Sequence, residues 1–83
     1  MNTPSWIVKQ VIPTNNYTLQ LTFITGEKKI FDCKPLLNQG IFQRLKDISY
    51  FKKAHIVGPT VAWDDELDLA PESLYRHSIA SQD

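Results

Sequence analysis

The sequence predicts an α+β fold: an antiparallel meander of about five short strands, a helical segment between strands 3 and 4, and a short C-terminal helix. Three observations support it. Residues 17–23 alternate apolar and polar side chains, which is typical of a strand with one covered face. Turn-forming residues recur at short intervals, and the apolar spacing changes after residue 32. Helices on one side of an antiparallel sheet define the α+β class.

The first two strands are predicted at the start of the chain. Strand 1 covers residues 6–12, and its apolar residues do not alternate cleanly. Either both faces are therefore partly covered or a bulge shifts the register. Pro13 ends this strand because proline cannot donate a ladder hydrogen bond. Strand 2 covers residues 17–24, and its covered face carries Tyr17, Leu19, Leu21 and Phe23.

A turn and a helical segment are predicted next. Residues 25–27 form a turn in which Gly26 adopts a positive φ, and strand 3 follows over 28–31. From residue 33 to 53 the spacing indicates one helical turn before Gly40 and a helix after it. The side chains expected to face the covered side of the sheet are Phe42, Leu45 and Phe51.

The C-terminal third predicts two more strands and a helix. Strands over 54–57 and 60–63 are joined by Gly58-Pro59, a strong turn pair. Pro71 suits the first position of a terminal helix because its missing N–H costs nothing there. Asp68 is expected to bond backbone N–H groups where that helix begins.

Composition limits the classes of function. The 83 residues indicate one domain over 1–83, and the nine basic and nine acidic residues cancel. This balance argues against binding nucleic acid mainly through phosphates. The single cysteine, Cys33, cannot form an internal disulfide, which favours a reducing cytoplasm. We identify no signal peptide, no apolar run long enough to span a membrane and no need for a cofactor.

An acidic stretch is the first candidate site. Carboxylates on a loop can hold Mg²⁺ or Ca²⁺, but the spacing lacks the glycine and glutamate of a Ca²⁺-binding loop. Turns also collect Asp for conformational reasons. A small metal-dependent enzyme that also uses His55 or His77 is therefore an alternative hypothesis. Its weak candidate ligands are Asp64, Asp65, Glu66 and Asp68.

A candidate interaction surface comes from aromatic and histidine side chains. Large aromatics normally fill the core of a small domain, but one left exposed on a sheet face would mark a binding patch. We therefore rank a protein-interaction or regulatory module first, with another small protein or a second copy as partner. Its candidate residues are Trp6, Tyr50, His55 and Trp63.

Two weaker alternatives concern basic residues and the cysteine. A nucleic-acid face would use lysines with Tyr50 and Phe51 for stacking, whereas solvated lysines fit the charge balance better. Cys33 lies between Asp32 and Lys34, and a lone cysteine is usually an inert small hydrophobe. The lysines and arginine concerned are Lys28, Lys29, Arg44, Lys46, Lys52 and Lys53.

Residues 8–75 resemble the bacterial domain of unknown function 2442. The most specific segments are FDCKPLL at 31–37 and VAWDDELDLAPESLY at 61–75. The resemblance implies an α+β fold and no established activity. Some members continue into a helix-turn-helix domain that we do not expect here. Members that stand alone are often encoded beside another small protein, which implies partner binding, as in a toxin–antitoxin pair. Where the family often has Trp-Pro followed by Asn or Asp and then Gly, this chain has Trp63-Asp64-Asp65-Glu66.

Overall fold

The computed structural model describes residues 6–64 and 66–80. Within them, seven strands form two antiparallel sheets. One sheet has the order β1-β2-β3-β7, and the other has the order β4-β5-β6. The strands are β1 (Val8–Pro13), β2 (Thr18–Phe23), β3 (Lys28–Asp32), β4 (His55–Val57), β5 (Thr60–Asp64), β6 (Leu67–Asp68) and β7 (Ile79–Ala80).

The α+β class and the antiparallel pairing are confirmed, and the structure divides the strands differently from a single meander. The β4–β5 hairpin pairs with β6 and does not join β3. The outer edge of β3 is instead covered by β7, a two-residue strand that follows the last helix. The two sheets are joined where the Val8 amide donates to the Pro59 carbonyl at 3.0 Å.

A bulge explains the irregular pattern of β1. The pairing of β1 with β2 shifts register between Val8 and Gln10, which is one of the two alternatives predicted. An extra residue in one strand reverses the faces beyond it. Val8 is therefore buried and Val11 packs against the core, while Ile12 is 47% exposed.

Strand β2 lies as predicted. Leu19, Leu21 and Phe23 are at most 1% exposed, whereas Gln20 between them faces solvent. Tyr17 precedes the strand with a φ of 60°. Its phenol donates to the Lys46 carbonyl and so connects the start of β2 to the helical segment.

The helical segment has three short pieces. Two 3₁₀ helices cover Lys34–Leu36 and Gly40–Lys46, and α1 covers Ile48–Phe51. A second break therefore lies at Asp47, whose backbone is extended and whose carboxylate accepts the Ser49 amide at 3.0 Å. This is N-capping, which begins a new helix. Leu45 and Phe51 are fully buried and Phe42 is half-buried.

The last helix, α2 (Pro71–His77), begins at Pro71 as predicted. The predicted capping role of Asp68 is wrong. The residue before the helix is Ala70, whose backbone is extended, and no side chain caps the helix. Asp68 instead belongs to β6 and pairs with Ala62. Two residues separate it from the helix, and its side chain is exposed. No helix among the described residues is long and apolar enough to cross a membrane.

Gly26 allows a mutational test of the β2–β3 turn. Its φ is +91°, and a Cβ placed there would meet no atom within 4 Å. Gly26→Ala should therefore lower the free energy of unfolding by about 1–2 kcal/mol, from backbone strain alone. Urea denaturation would measure the loss. Gly26→Asn should lose less because Asn tolerates positive φ better. Equal stability of the Ala variant and the parent would contradict the turn geometry.

Candidate functional site

An open groove of about 700 Å³ lies beside the end of β3. The two 3₁₀ helices form one wall, and the segment from β6 into α2 forms the other. Its apolar surface comes from Phe31 and Leu69, which are 7% and 8% exposed, and from the half-buried Leu36 and Phe42. The described polar side chains that line it are all exposed: Asp32, Gln39, Asp68, Ser73 and His77.

Local hydrogen bonds form the first wall. The Cys33 amide donates to the Tyr17 carbonyl at 2.9 Å and keeps the end of β3 beside the start of β2. The Asp32 carboxylate then accepts the Lys34 amide at 2.9 Å, which turns the chain away from the strand. Pro35 lies in the first turn of the 3₁₀ helix that follows. This helix places Leu36 in the groove.

The second wall is attached to β5. The Leu69 amide donates to the Val61 carbonyl at 3.1 Å, and the buried Thr60 hydroxyl donates to the Leu69 carbonyl. Residues 69 and 70 are therefore held beside β5 until α2 begins. The groove lies between two hydrogen-bonded walls, so its shape is built into the fold.

The distribution of polarity indicates what the groove can do. Catalytic groups usually converge on a reacting atom in a site that excludes water. Here the polar groups lie at the exposed rim and the buried surface is apolar. Concave apolar sites of this size bind ligands mainly by burying apolar surface. The groove can therefore bury apolar surface of a ligand while its rim stays in contact with solvent.

A model of the family described as "Protein of unknown function (DUF2442)" matches residues 8–80. The chain belongs to this family. No curated protein and no solved structure matches it.

Two segments on which the sequence-based resemblance rested meet at the groove. Phe31, Asp32 and Leu36 belong to the segment FDCKPLL, and Asp68 and Leu69 belong to DLAPESLY. The groove was not predicted, because nothing in the sequence shows that the two segments are neighbours. The sequence offered one indication of the groove: each of the two segments contains a proline and more apolar residues than a turn requires.

The acidic stretch predicted as a weak metal site lies elsewhere for the most part. Asp64 accepts the Tyr50 phenol at 2.5 Å and lies 3.7 Å from Arg44, and Glu66 lies 3.9 Å from Arg44. Asp65 lies outside the described residues, and Asp68 lines the groove. No group of three or more metal-ligating residues is close enough to hold an ion within residues 6–64 and 66–80.

The bond between Tyr50 and Asp64 shifts both pKa values. The pKa of Asp64 is lowered mainly by the hydrogen bond from the Tyr50 phenol, and the hydrogen bond from the Glu66 amide adds to the effect. Desolvation and the bond to Asp64 raise the pKa of Tyr50. Both shifts mean that the favoured state is a charged carboxylate beside a neutral phenol. This pair therefore ties α1 to β5 at the surface.

The candidate interaction residues do not share one environment. Trp63 is only 4% exposed and its Nε1 donates to the Phe51 carbonyl at 2.8 Å. Trp63 is therefore a core residue, and its prediction as part of an exposed interaction surface is wrong. Trp6 is half-buried beside α2, and Tyr50 is bonded to Asp64. His55 is exposed on β4 and its Nδ1 lies 2.9 Å from the Lys53 carbonyl.

Several of the basic residues have partners within the chain. The Lys29 ammonium donates to the Tyr75 carbonyl at 2.9 Å and lies 3.9 Å from the centre of the Tyr75 ring. The Lys52 ammonium donates to the Asn15 side chain at 3.1 Å. Phe51 is fully buried and so is unavailable for stacking on bases. These contacts give Lys29 and Lys52 structural roles.

Proposed function

We propose that the protein is an interaction module that holds a segment of another protein in the groove between FDCKPLL and DLAPESLY. The observation that carries the proposal is the separation of an apolar groove surface from an exposed polar rim. An apolar anchor in a pocket, surrounded by polar contacts, is the usual organisation of a protein interface. The groove is large enough for one or two such side chains.

The partner we propose is a small protein encoded beside this chain. Support comes from the family resemblance, since DUF2442 members that stand alone often have such a neighbour. A regulatory pair of this kind fits a bacterial cytoplasm. The lone, buried Cys33 supports that location because disulfide-rich sequences mark small exported domains.

A groove variant and a matched neighbour test the proposal. Phe42 lines the groove, whereas Ile41 on the same 3₁₀ helix is 41% exposed and does not. The chain would be co-purified with the adjacently encoded small protein, and the mass and affinity of the complex measured. Phe42→Arg should weaken binding by about tenfold or more because it replaces part of the apolar groove surface with a charge. Ile41→Arg should bind as the parent does.

Two outcomes would overturn this proposal. One is the lack of any complex with the adjacent protein at micromolar concentrations. The other is equal weakening by Phe42→Arg and Ile41→Arg, since a common effect would place the contact outside the groove. Circular dichroism on both variants would establish that each is folded before binding is compared.

A further inference from the structure

We infer that the segment held in the groove is a cationic peptide segment, in which a bulky apolar side chain is flanked by lysine or arginine. The inference rests on the proposed function and adds the chemistry of the partner. It follows from the charges around the groove.

Carboxylates outnumber basic side chains in the groove lining, where the one described basic residue is His77. The chain has nine lysines and arginines and nine acidic residues, yet none of the nine cations is among the described residues that line the groove. Two carboxylates do line the groove, one on each wall: Asp32 at the end of β3 and Asp68 on β6. A neutral protein therefore presents a locally negative rim around an apolar surface.

The chain itself compensates this negative charge weakly. Asp68 makes no ion pair with any described residue. Asp32 lies 3.9 Å from the Lys34 ammonium, but both side chains are more than half exposed. An exposed pair at this distance contributes little, and another cation can replace it. Both carboxylates are therefore available to a cationic partner.

Charge complementarity selects among the possible occupants. Nucleic acids and anionic lipids present phosphates, which the two carboxylates would repel. A neutral apolar segment would fill the groove and leave both carboxylates unused. A segment with lysine or arginine beside its apolar anchor uses the apolar surface and the charged rim together.

Isosteric amide variants isolate the charge. Asp32→Asn keeps an oxygen that can accept the Lys34 amide, so the turn after β3 is retained. Asp68→Asn changes an exposed side chain on β6. The matched control is the double variant Asp47→Asn and Glu66→Gln, which removes two negative charges from exposed residues outside the groove. Asparagine also preserves the cap that Asp47 provides to α1.

A random-peptide library selected on the full chain supplies the probes. Selected peptides would be synthesised and their affinities measured by fluorescence anisotropy at about 50 mM and about 500 mM salt. We expect an excess of lysine and arginine beside an aromatic or aliphatic residue. The Asp32→Asn, Asp68→Asn variant should bind about tenfold more weakly at low salt and nearly equally at high salt. The control should bind as the parent does.

The outcomes separate this inference from the proposed function. If peptides lose affinity with Phe42→Arg but show no basic excess, or bind the amide variant as tightly as the parent, the groove is a docking site and the inference is overturned. If peptides bind Phe42→Arg as tightly as the parent, or none are selected, both are overturned. A dimer that excludes peptide from the groove would replace the inferred partner with a second copy.

Discussion

Phe51→Ala is expected to lower the free energy of unfolding by about 3–5 kcal/mol, which is typical of a fully buried aromatic. Phe51 is fully buried in α1 and lies between the two sheets. Its ring centroid is 5.4 Å from that of Tyr17, next to β2, and 6.1 Å from that of Trp63 in β5. The substitution therefore removes a ring of the helical segment that packs against residues of both sheets. The total free energy of unfolding of a natural domain is about 5–15 kcal/mol, so this loss is a large part of it.

Urea denaturation followed by tryptophan fluorescence would measure the loss, since Trp63 is a direct neighbour of the substituted ring. Phe51→Leu provides the matched control, because it keeps the site apolar and most of it filled. It should cost clearly less than the alanine variant. A loss below about 1 kcal/mol for Phe51→Ala would show that the two sheets do not depend on this residue.

The parts of the fold that follow from local chemistry could be predicted from the sequence. The alternation in β2 specified its buried face because one side of the strand is covered along its length. The start of α2 was set by Pro71, whose backbone angle suits a first helical position. In both cases the deciding information lies within a few residues, so no knowledge of the tertiary structure was needed.

The division into two sheets could not be predicted in the same way. Whether the β4–β5 hairpin joins β3 or forms a sheet of its own depends on contacts between distant residues, such as that between Val8 and Pro59. The strand that covers the edge of β3, β7, was not predicted because it has only two residues and no alternating pattern. Short strands are defined by their neighbours more than by their own composition.

The candidate site also depends on contacts between residues that are distant in the sequence. Asp68 was assigned to a helix cap that the structure does not contain, and nothing in the sequence connected it with Asp32. Their common role at one groove depends on the path of the chain between them. Trp63 illustrates the converse case, since an aromatic in a short strand can lie on either face until its partner is known. Its bond to the Phe51 carbonyl identifies the buried face.

Cys33 should resist alkylation in the folded protein, and its unreactivity is a second large expected effect. The side chain is fully buried, and burial, followed by the neighbouring charge of Asp32, raises its pKa from 9.0 to about 12. Because the thiolate is the reactive form, its fraction at pH 9 falls from about one half to about one thousandth. Iodoacetamide should therefore label the folded chain far more slowly than the chain in urea. Labelling at equal rates would contradict the buried position.

The same pKa shift predicts how stability depends on pH. Because the folded pKa lies above the unfolded one, the unfolded chain releases the thiol proton first as pH rises. The free energy of unfolding should therefore be unaffected by this group below pH 9 and should fall between pH 9 and about 12. The slope attributable to this group is at most about 1.4 kcal/mol per pH unit.

Cys33→Ala separates the thiol from the other groups that titrate in alkali. The lysines and tyrosines remain in both proteins, so their contributions cancel in the difference between the two stability curves. The alanine variant is expected to be less stable at neutral pH because it leaves a small cavity. Its deficit should shrink as pH rises from about 9, because only the parent chain must keep a buried thiol protonated. A deficit that stays constant up to pH 11 would show that the Cys33 thiol ionises equally well in the folded and unfolded chains.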